Sequence, residues 1–151
     1  MIKIVELMTR NPYTLLRSNT LADAKKLMAE HEIRHVPVVD VDDELLGLVT
    51  QRDILAAQDS SLQINPDKSA YNLDTPLNQA MCKSVITVSP HAGLRESAMM
   101  MQKRKVGCLP VVQNSKLVGI ITDSDFVAIA INLLELQEEV EPVESGTYRV
   151  G

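Results

Sequence analysis

HVPVVDVDDELLGLVTQRD, residues 35–53, and CLPVVQNSKLVGIITDSD, residues 108–125, are one piece of chain written twice. Each holds a β-branched apolar run behind a proline, a polar turn, a second apolar run with a central glycine, and a closing T-x-x-D. The β-branched runs read as a strand pair around the turn, acidic at Asp42 to Glu44 in the first copy, and a helix follows each Thr. A shift of 73 places Met8 on Met81, Thr14 on Thr87, Leu21 on Leu94, Met28 on Met101 and Pro37 on Pro110. One residue is then lost in the turn, and a shift of 72 places Leu45 on Leu117, Gly47 on Gly119, Thr50 on Thr122 and Asp53 on Asp125. The chain is therefore an internal duplication.

Upstream of each strand pair the spacing predicts a short amphipathic helix. In the first copy Thr20 and Asp23 make a capping pattern ahead of Leu21, Ala24, Leu27 and Met28. In the second copy LRESAMMM takes the same place. A short extended stretch around Thr14 and Thr87 precedes each helix. The expected fold is α/β (α+β), two β-α-β-β-α repeats packed about a pseudo-twofold axis, because neither copy alone has the apolar surface to cover both faces of its small sheet. The expected divisions are 1–57 for the first repeat, 58–76 for a polar linker, 77–131 for the second repeat, and 132–151 for a helix extension and flexible tail. The last helix should run to about Glu139 before Pro142 stops it, with a stripe of Ile129, Leu133, Leu136 and Val140 that either folds back as core or meets another chain. The run Met99-Met100-Met101 reads as helix core with two of its three sulfurs inward, not as a soft-metal site.

Composition narrows the function. At 151 residues and 45% hydrophobic content the chain can bury one good core. A net charge of −5, no Trp, three Tyr and one Phe leave little to neutralise a phosphate backbone or stack bases, so direct nucleic-acid binding is not expected. No apolar run is long enough to span a bilayer and no leader pattern opens the chain, so a cytoplasmic protein is expected without a membrane partner. Cys82 and Cys108 are isolated, which suits a reducing compartment and gives no structural zinc pattern. No G-x-x-x-x-G-K-[ST] loop is present to hydrolyse a nucleotide.

The stretch HEIRH, residues 31–35, has the spacing of a zinc-hydrolase helix, with Glu32 as general base. That chemistry needs both histidines on one face of an unbroken helix. Here Pro37 forces Val36 towards extended geometry and His35 enters a strand. The equivalent residues, RKVGC, hold no ligand pair, so the expected set of catalytic and metal residues is empty. The two T-x-x-D motifs admit two readings. Thr50 with Asp53 and Thr122 with Asp125 are helix caps, and the same strand-to-helix geometry can offer a hydroxyl and N–H groups to phosphate and a carboxylate to a ribose diol.

Taken together, ELMTRNPYTL, TLADAKKLMAEHEIRHVPVVD and LLGLVTQRD, repeated as QAMCKSVITV, GLRESAMMMQKRKVGCLPVV and LVGIITDSD, resemble a tandem pair of cystathionine beta-synthase (CBS) domains, a Bateman module. The resemblance implies a regulatory module without chemistry of its own. It would bind adenosine-containing ligands such as AMP, ADP, ATP or S-adenosylmethionine in clefts between the repeats, with Mg2+ as a candidate companion of the phosphates. It implies that Asp53 and Asp125 hold ribose and that Thr50 and Thr122 lie near phosphate. Tyr13, Thr14, Ile86 and Thr87 would meet adenine, and Val36, Pro37, Leu109 and Pro110 would supply apolar walls. It further implies a homodimer and a separate regulated protein, which the sequence does not name.

The copies differ where charge matters. Arg34-His35 stand where the second copy has Gly107-Cys108, and Gln51-Arg52 where it has Asp123-Ser124. Unequal clefts follow, with the site near Asp53, Arg34, His35 and Arg52 favouring phosphorylated ligand and Asp123 repelling it. Recruitment from the opposite repeat would reassign Arg34, His35, Arg104 or Lys105. The competing readings are a structural dimer or scaffold whose T-x-x-D motifs only cap helices, and a zinc hydrolase acting through HEIRH.

Overall fold

The computed structural model describes residues 1–62 and 72–138. The elements run α1 (Ile4–Leu7), β1 (Thr9–Arg10), β2 (Leu15–Leu16), α2 (Leu21–His31), β3 (His35–Val39), β4 (Leu45–Thr50) and α3 (Gln51–Leu62), then α4 (Leu77–Ala80), α5 (Leu94–Arg104), β5 (Cys108–Gln113), β6 (Lys116–Thr122) and α6 (Asp123–Gln137). Each repeat builds its antiparallel hairpin from the expected runs, with Val36 opposite Val49 and Leu109 opposite Ile121. In the first hairpin the turn is closed by Asp40, whose Oδ1 accepts from the backbone N–H of Asp42 at 2.8 Å and Glu44 at 3.0 Å. Thr20 caps α2 reciprocally. The Asp23 N–H donates to Thr20 Oγ1 at 3.3 Å, and the Thr20 N–H donates to Asp23 Oδ2 at 2.9 Å. The extended stretch begins one residue after Thr14 as β2, parallel to β3, and in the second repeat it shrinks to a single bridge between Val88 and Val111.

The sheets are not confined to their own repeats. One has the order β2-β3-β4, and the other β1-β6-β5, so the strand that follows α1 joins the second repeat's hairpin. The converse is a bridge from Cys82, the equivalent of Thr9, to Leu48 of β4. The helices follow the strands. Ile4 and Met8 lie in one core with Val88, Leu94, Met101, Leu109, Val111 and Ile121, while Leu77 lies in the other with Leu21, Ala24, Met28, Val36, Val38, Val49, Ile54 and Ala57.

The exchange obeys the expected pseudo-twofold. Ile4 N–H donates to Ala92 O at 2.9 Å and Leu77 N–H to Asn19 O at 2.7 Å. Val5 N–H donates to Pro90 O and Asn78 N–H to Arg17 O, both at 3.0 Å. Each member of these pairs is the other's image under the shift of 73. Ile4 and Leu77 are fully buried in the opposite core, a burial that stabilises the pairing of the repeats by about 1.5–3 kcal/mol for each side chain. Gly47 and Gly119 permit the close approach. A Cβ on Gly47 would lie 2.8 Å from the Cys82 carbonyl oxygen, and one on Gly119 would lie 2.9 Å from that of Thr9.

One expectation about helix faces needs correction. Of the three consecutive methionines only Met101 is buried, and Met99 is 55% exposed. Successive helical residues turn by about 100°, so the inward face is Leu94, Ser97 and Met101. On α6, Ile129 packs on the second core, but Leu133 and Leu136 are exposed, Leu136 by 84%. That helix leaves the core before its apolar run ends. The predicted end at Glu139, Val140, Pro142 and the tail, and the linker residues 63–71, lie outside the described residues.

Candidate functional site

Among the described residues, two clefts between the repeats carry the T-x-x-D threonines, of about 390 and 280 Å³. The larger takes Leu48, Thr50, Gln51 and Arg52 from the first repeat and Cys82, Ser84, Val85, Ile86 and Lys105 from the second. The smaller takes Ile120, Thr122, Asp123, Ser124 and Asp125 from the second and Thr9, Pro12, Tyr13, Glu32 and Ile33 from the first. The repeat shift carries most of one lining onto the other, Thr9 onto Cys82, Tyr13 onto Ile86, Glu32 onto Lys105 and Thr50 onto Thr122. Each T-x-x-D motif therefore faces the N-terminal segment of the opposite repeat, because the exchanged strands bring that segment alongside.

The T-x-x-D motifs cap their helices. Thr50 N–H donates to Asp53 Oδ2 at 2.7 Å, and Thr122 N–H to Asp125 Oδ2 at 2.9 Å. Both threonine hydroxyls also donate to the same Oδ2, at 3.2 Å. Capping engages one carboxylate oxygen in each case, and Oδ1 has no recorded hydrogen-bond partner among the described residues. Asp125 lines its cleft, whereas Asp53 stands behind Thr50 and is not in the wall.

Other candidates separate. Tyr13 and Ile86 occupy corresponding walls, but Thr14 lines no described cavity and Thr87 lines a third, smaller one on the far edge of the hairpins. Val36, Pro37, Leu109 and Pro110 are fully buried and form core rather than cleft wall. For Val36 and Leu109, alternation along β3 and β5 presents their neighbours His35 and Cys108 instead. The Tyr13 ring stacks on His31, with centroids 3.8 Å apart and planes 16° from parallel. His31 is the last residue of α2, Glu32 is left-handed at φ 54°, and His35 is already in β3. The HEIRH residues therefore share no helix face, and the zinc-hydrolase spacing is not realised.

Arg34 does not stand with Asp53 alone. Its Nη2 donates to Asp123 Oδ1 at 3.1 Å and to Ser124 Oγ at 3.3 Å, and Arg34, His35 and Asp123 border both clefts. They form a partition. His35 fills the space left by Gly107, where a Cβ would lie 2.9 Å from Nε2. Burial lowers the His35 pKa, with Asp123 opposing and Arg34 reinforcing the shift, so the neutral ring is favoured. Burial, aided by Asp123, pushes the Cys108 thiol up to about 12. On either side the charges differ. The larger cleft has Arg34, Arg52 and Lys105 against Asp123, and the smaller has Glu32, Asp123 and Asp125 against Arg34.

Glu32, which the sequence suggests only as a hydrolase base, and Lys105, which it suggests only as a residue recruited from the opposite repeat, each line a cleft. Both are left-handed C-caps, at φ 54° and 56°, and their equivalence under the repeat was the available signal. Among the described residues no cluster of three or more His, Cys, Asp or Glu could hold a metal, and no helix is long and apolar enough to cross a membrane.

Comparison with known proteins matches this architecture. A structure from Vibrio cholerae, of a protein named provisionally for acetoin utilization (AcuB), is 60% identical with a TM-score of 0.78, covering 94% of this chain and 99% of that one. The structure of CBSX2 in complex with AMP is 27% identical with a TM-score of 0.75, covering 88% and 98%. A homoserine O-acetyltransferase of Methanococcus vannielii is 37% identical over 122 residues, 80% of this chain but 23% of the enzyme. The chain thus spans about a quarter of that enzyme's length. The family model for the CBS domain matches twice, at residues 4–60 and 77–132. With two matched units exchanging their N-terminal segments around paired clefts, the chain belongs to the CBS domain family.

Proposed function

We propose that this CBS pair is a regulatory module that binds adenosine-containing ligands in its two clefts and passes the resulting change of shape to a separate protein. The observation that carries the reading is the placement of Thr50 and of Thr122 with Asp125 against the opposite repeat's strand entry, with the adenine role assigned to Ile86 and Tyr13 and the ribose role to Asp53 and Asp125, Asp53 reaching its ligand from behind Thr50. The AMP held by CBSX2, a protein of the same fold and 27% identity, supports an adenine nucleotide as ligand. The larger cleft suits the phosphorylated form. Arg52 sits in the first turn of α3, where the helix end is itself positive, and a phosphate there would relieve that conflict while meeting Thr50 and Lys105. Mg2+ would accompany a polyphosphate.

The module acts as a cytoplasmic homodimer in this reading. Val127, Ile131 and Leu134 recur along one exposed stripe of α6, with Leu55 of α3 also exposed, and a second copy would cover them. The 60% identity to the Vibrio cholerae protein over nearly both chains supports a role in the same process. The module carries no catalysis of its own.

The test is calorimetric titration of nucleotide-stripped protein with AMP, ADP, ATP and S-adenosylmethionine, beside Asp53→Ala and Asp125→Ala. Binding that is lost with one substitution locates the dominant cleft. No binding of any of the four would favour the scaffold reading, in which T-x-x-D only caps helices. Sedimentation at several concentrations tests the dimer.

A further inference from the structure

The partition between the clefts is built around one arginine that has two places to go. Arg34 borders both cavities and is held by Asp123 and Ser124 at the entrance of α6. Its side chain is 54% exposed and that of Asp123 is 49% exposed, so the pair is half solvated and open to competition. The larger cleft already has Arg52 and Lys105 to attract an anion. The smaller has Glu32 and Asp125 beside Asp123, with Arg34 as the counter-charge in its wall.

Resting on the proposed ligand class, the geometry points to a coupled pair of unlike sites. The larger cleft takes a phosphorylated adenosine, the smaller an adenosine bearing a positive charge, such as a sulfonium, and each favours the other through Arg34. A phosphate in the larger cleft competes with Asp123 for the guanidinium. When Arg34 turns to the phosphate, the smaller cleft is left with Glu32, Asp123 and Asp125 uncompensated and becomes more attractive to a cation. In the other direction, a cation that pairs with Asp123 releases Arg34 to the phosphate. A second phosphorylated ligand, by contrast, would face those carboxylates without Arg34. The coupling must be reciprocal, since each ligand shifts the other's affinity by the same factor.

The half-exposed pair sets the size. A surface-type ion pair of this kind corresponds to about a three- to fivefold effect on affinity. The experiment titrates AMP into protein alone and into protein saturated with S-adenosylmethionine, then reverses the order, in wild type, Arg34→Met and Asp123→Asn, with thermal unfolding to confirm that each variant is folded. Expected is AMP binding about three- to fivefold tighter with S-adenosylmethionine in place, the same factor in reverse, and a factor near one in both variants, whatever their individual affinities become. A wild-type factor of one, a coupling that persists in folded Arg34→Met, or a protein that binds AMP but not S-adenosylmethionine would overturn the inference and leave the nucleotide-binding module standing. Absence of binding by both ligands would overturn the two together.

Discussion

Replacing Asp125 by Asn and by Ala separates the two tasks assigned to one carboxylate. Its Oδ2 accepts from the Thr122 N–H at 2.9 Å and from the Thr122 hydroxyl at 3.2 Å, and it sits in the first turn of α6, where a negative charge opposes the positive helix end. Ala removes both contributions, about 1 kcal/mol for the cap and up to about 1 kcal/mol for the charge. For a chain of this size that lowers Tm by about 3–6 °C. Asn keeps an oxygen for the Thr122 N–H, and its Tm should fall by only about 1 °C. Ligand binding should order differently. A carboxylate holding a ribose diol makes two charge-assisted hydrogen bonds, and Asn keeps one weaker acceptor, so its affinity for an adenosine ligand of the smaller cleft should drop about 10- to 100-fold. The paired readout is thermal unfolding without ligand and calorimetry with it. If Asn binds as wild type does, or if affinity simply tracks Tm across the two variants, Asp125 is a cap and the ribose assignment is wrong.

Other consequences can be checked independently. Gly119→Ala should cost about 1–3 kcal/mol in urea unfolding, because its Cβ meets the Thr9 carbonyl and the Met8 side chain and the backbone φ offers no other objection to alanine; unchanged stability would mean that β1 does not lie against β6. Native protein should be alkylated at Cys82 alone and at Cys108 only after unfolding, since Cys82 is exposed and the buried Cys108 thiol is pushed up to about 12. Mass spectrometry of the two peptides would expose the opposite order. His35 has a folded pKa below its ordinary 6.5, so the unfolded chain takes up this proton first as pH falls. Its contribution is full above 6.5 and is lost as pH drops through the folded value. Urea midpoints should therefore decline between about pH 7 and about pH 5 more steeply in wild type than in His35→Gln, and equal slopes would remove His35 as a cause.

The duplication, the hairpins and the capped helices were readable because each is written locally: Thr20 with Asp23, the valines around Pro37 and Pro110, the single glycine in each second strand. What the shift of 73 could not say is which copy receives Ile4 and which receives Leu77. Two-residue β1 has no alternation to read, and α1 and α4 are each four residues long. Their destination is settled by which core has room, and by Gly47 and Gly119, whose missing side chains admit the opposite segment. That choice sets the cleft walls, bringing Thr9 against Ile120 of β6 and Cys82 against Leu48 of β4. Arg34, which is not on the exchanged segments, lies across from Asp123 and borders both cavities. Val36 and Leu109 illustrate the finer limit, because a register step of one residue separates core from cleft, and His35 and Cys108 take the cleft face instead. Once the exchange is granted, the pairing of Glu32 with Lys105 follows from the repeat alone. It also explains why two clefts of one ancestry differ in charge. The divergence falls at helix C-caps and at the first turn of α3 and α6, positions that border the cavities and lie outside both cores, so the charge of a cleft can change without disturbing the fold that forms it.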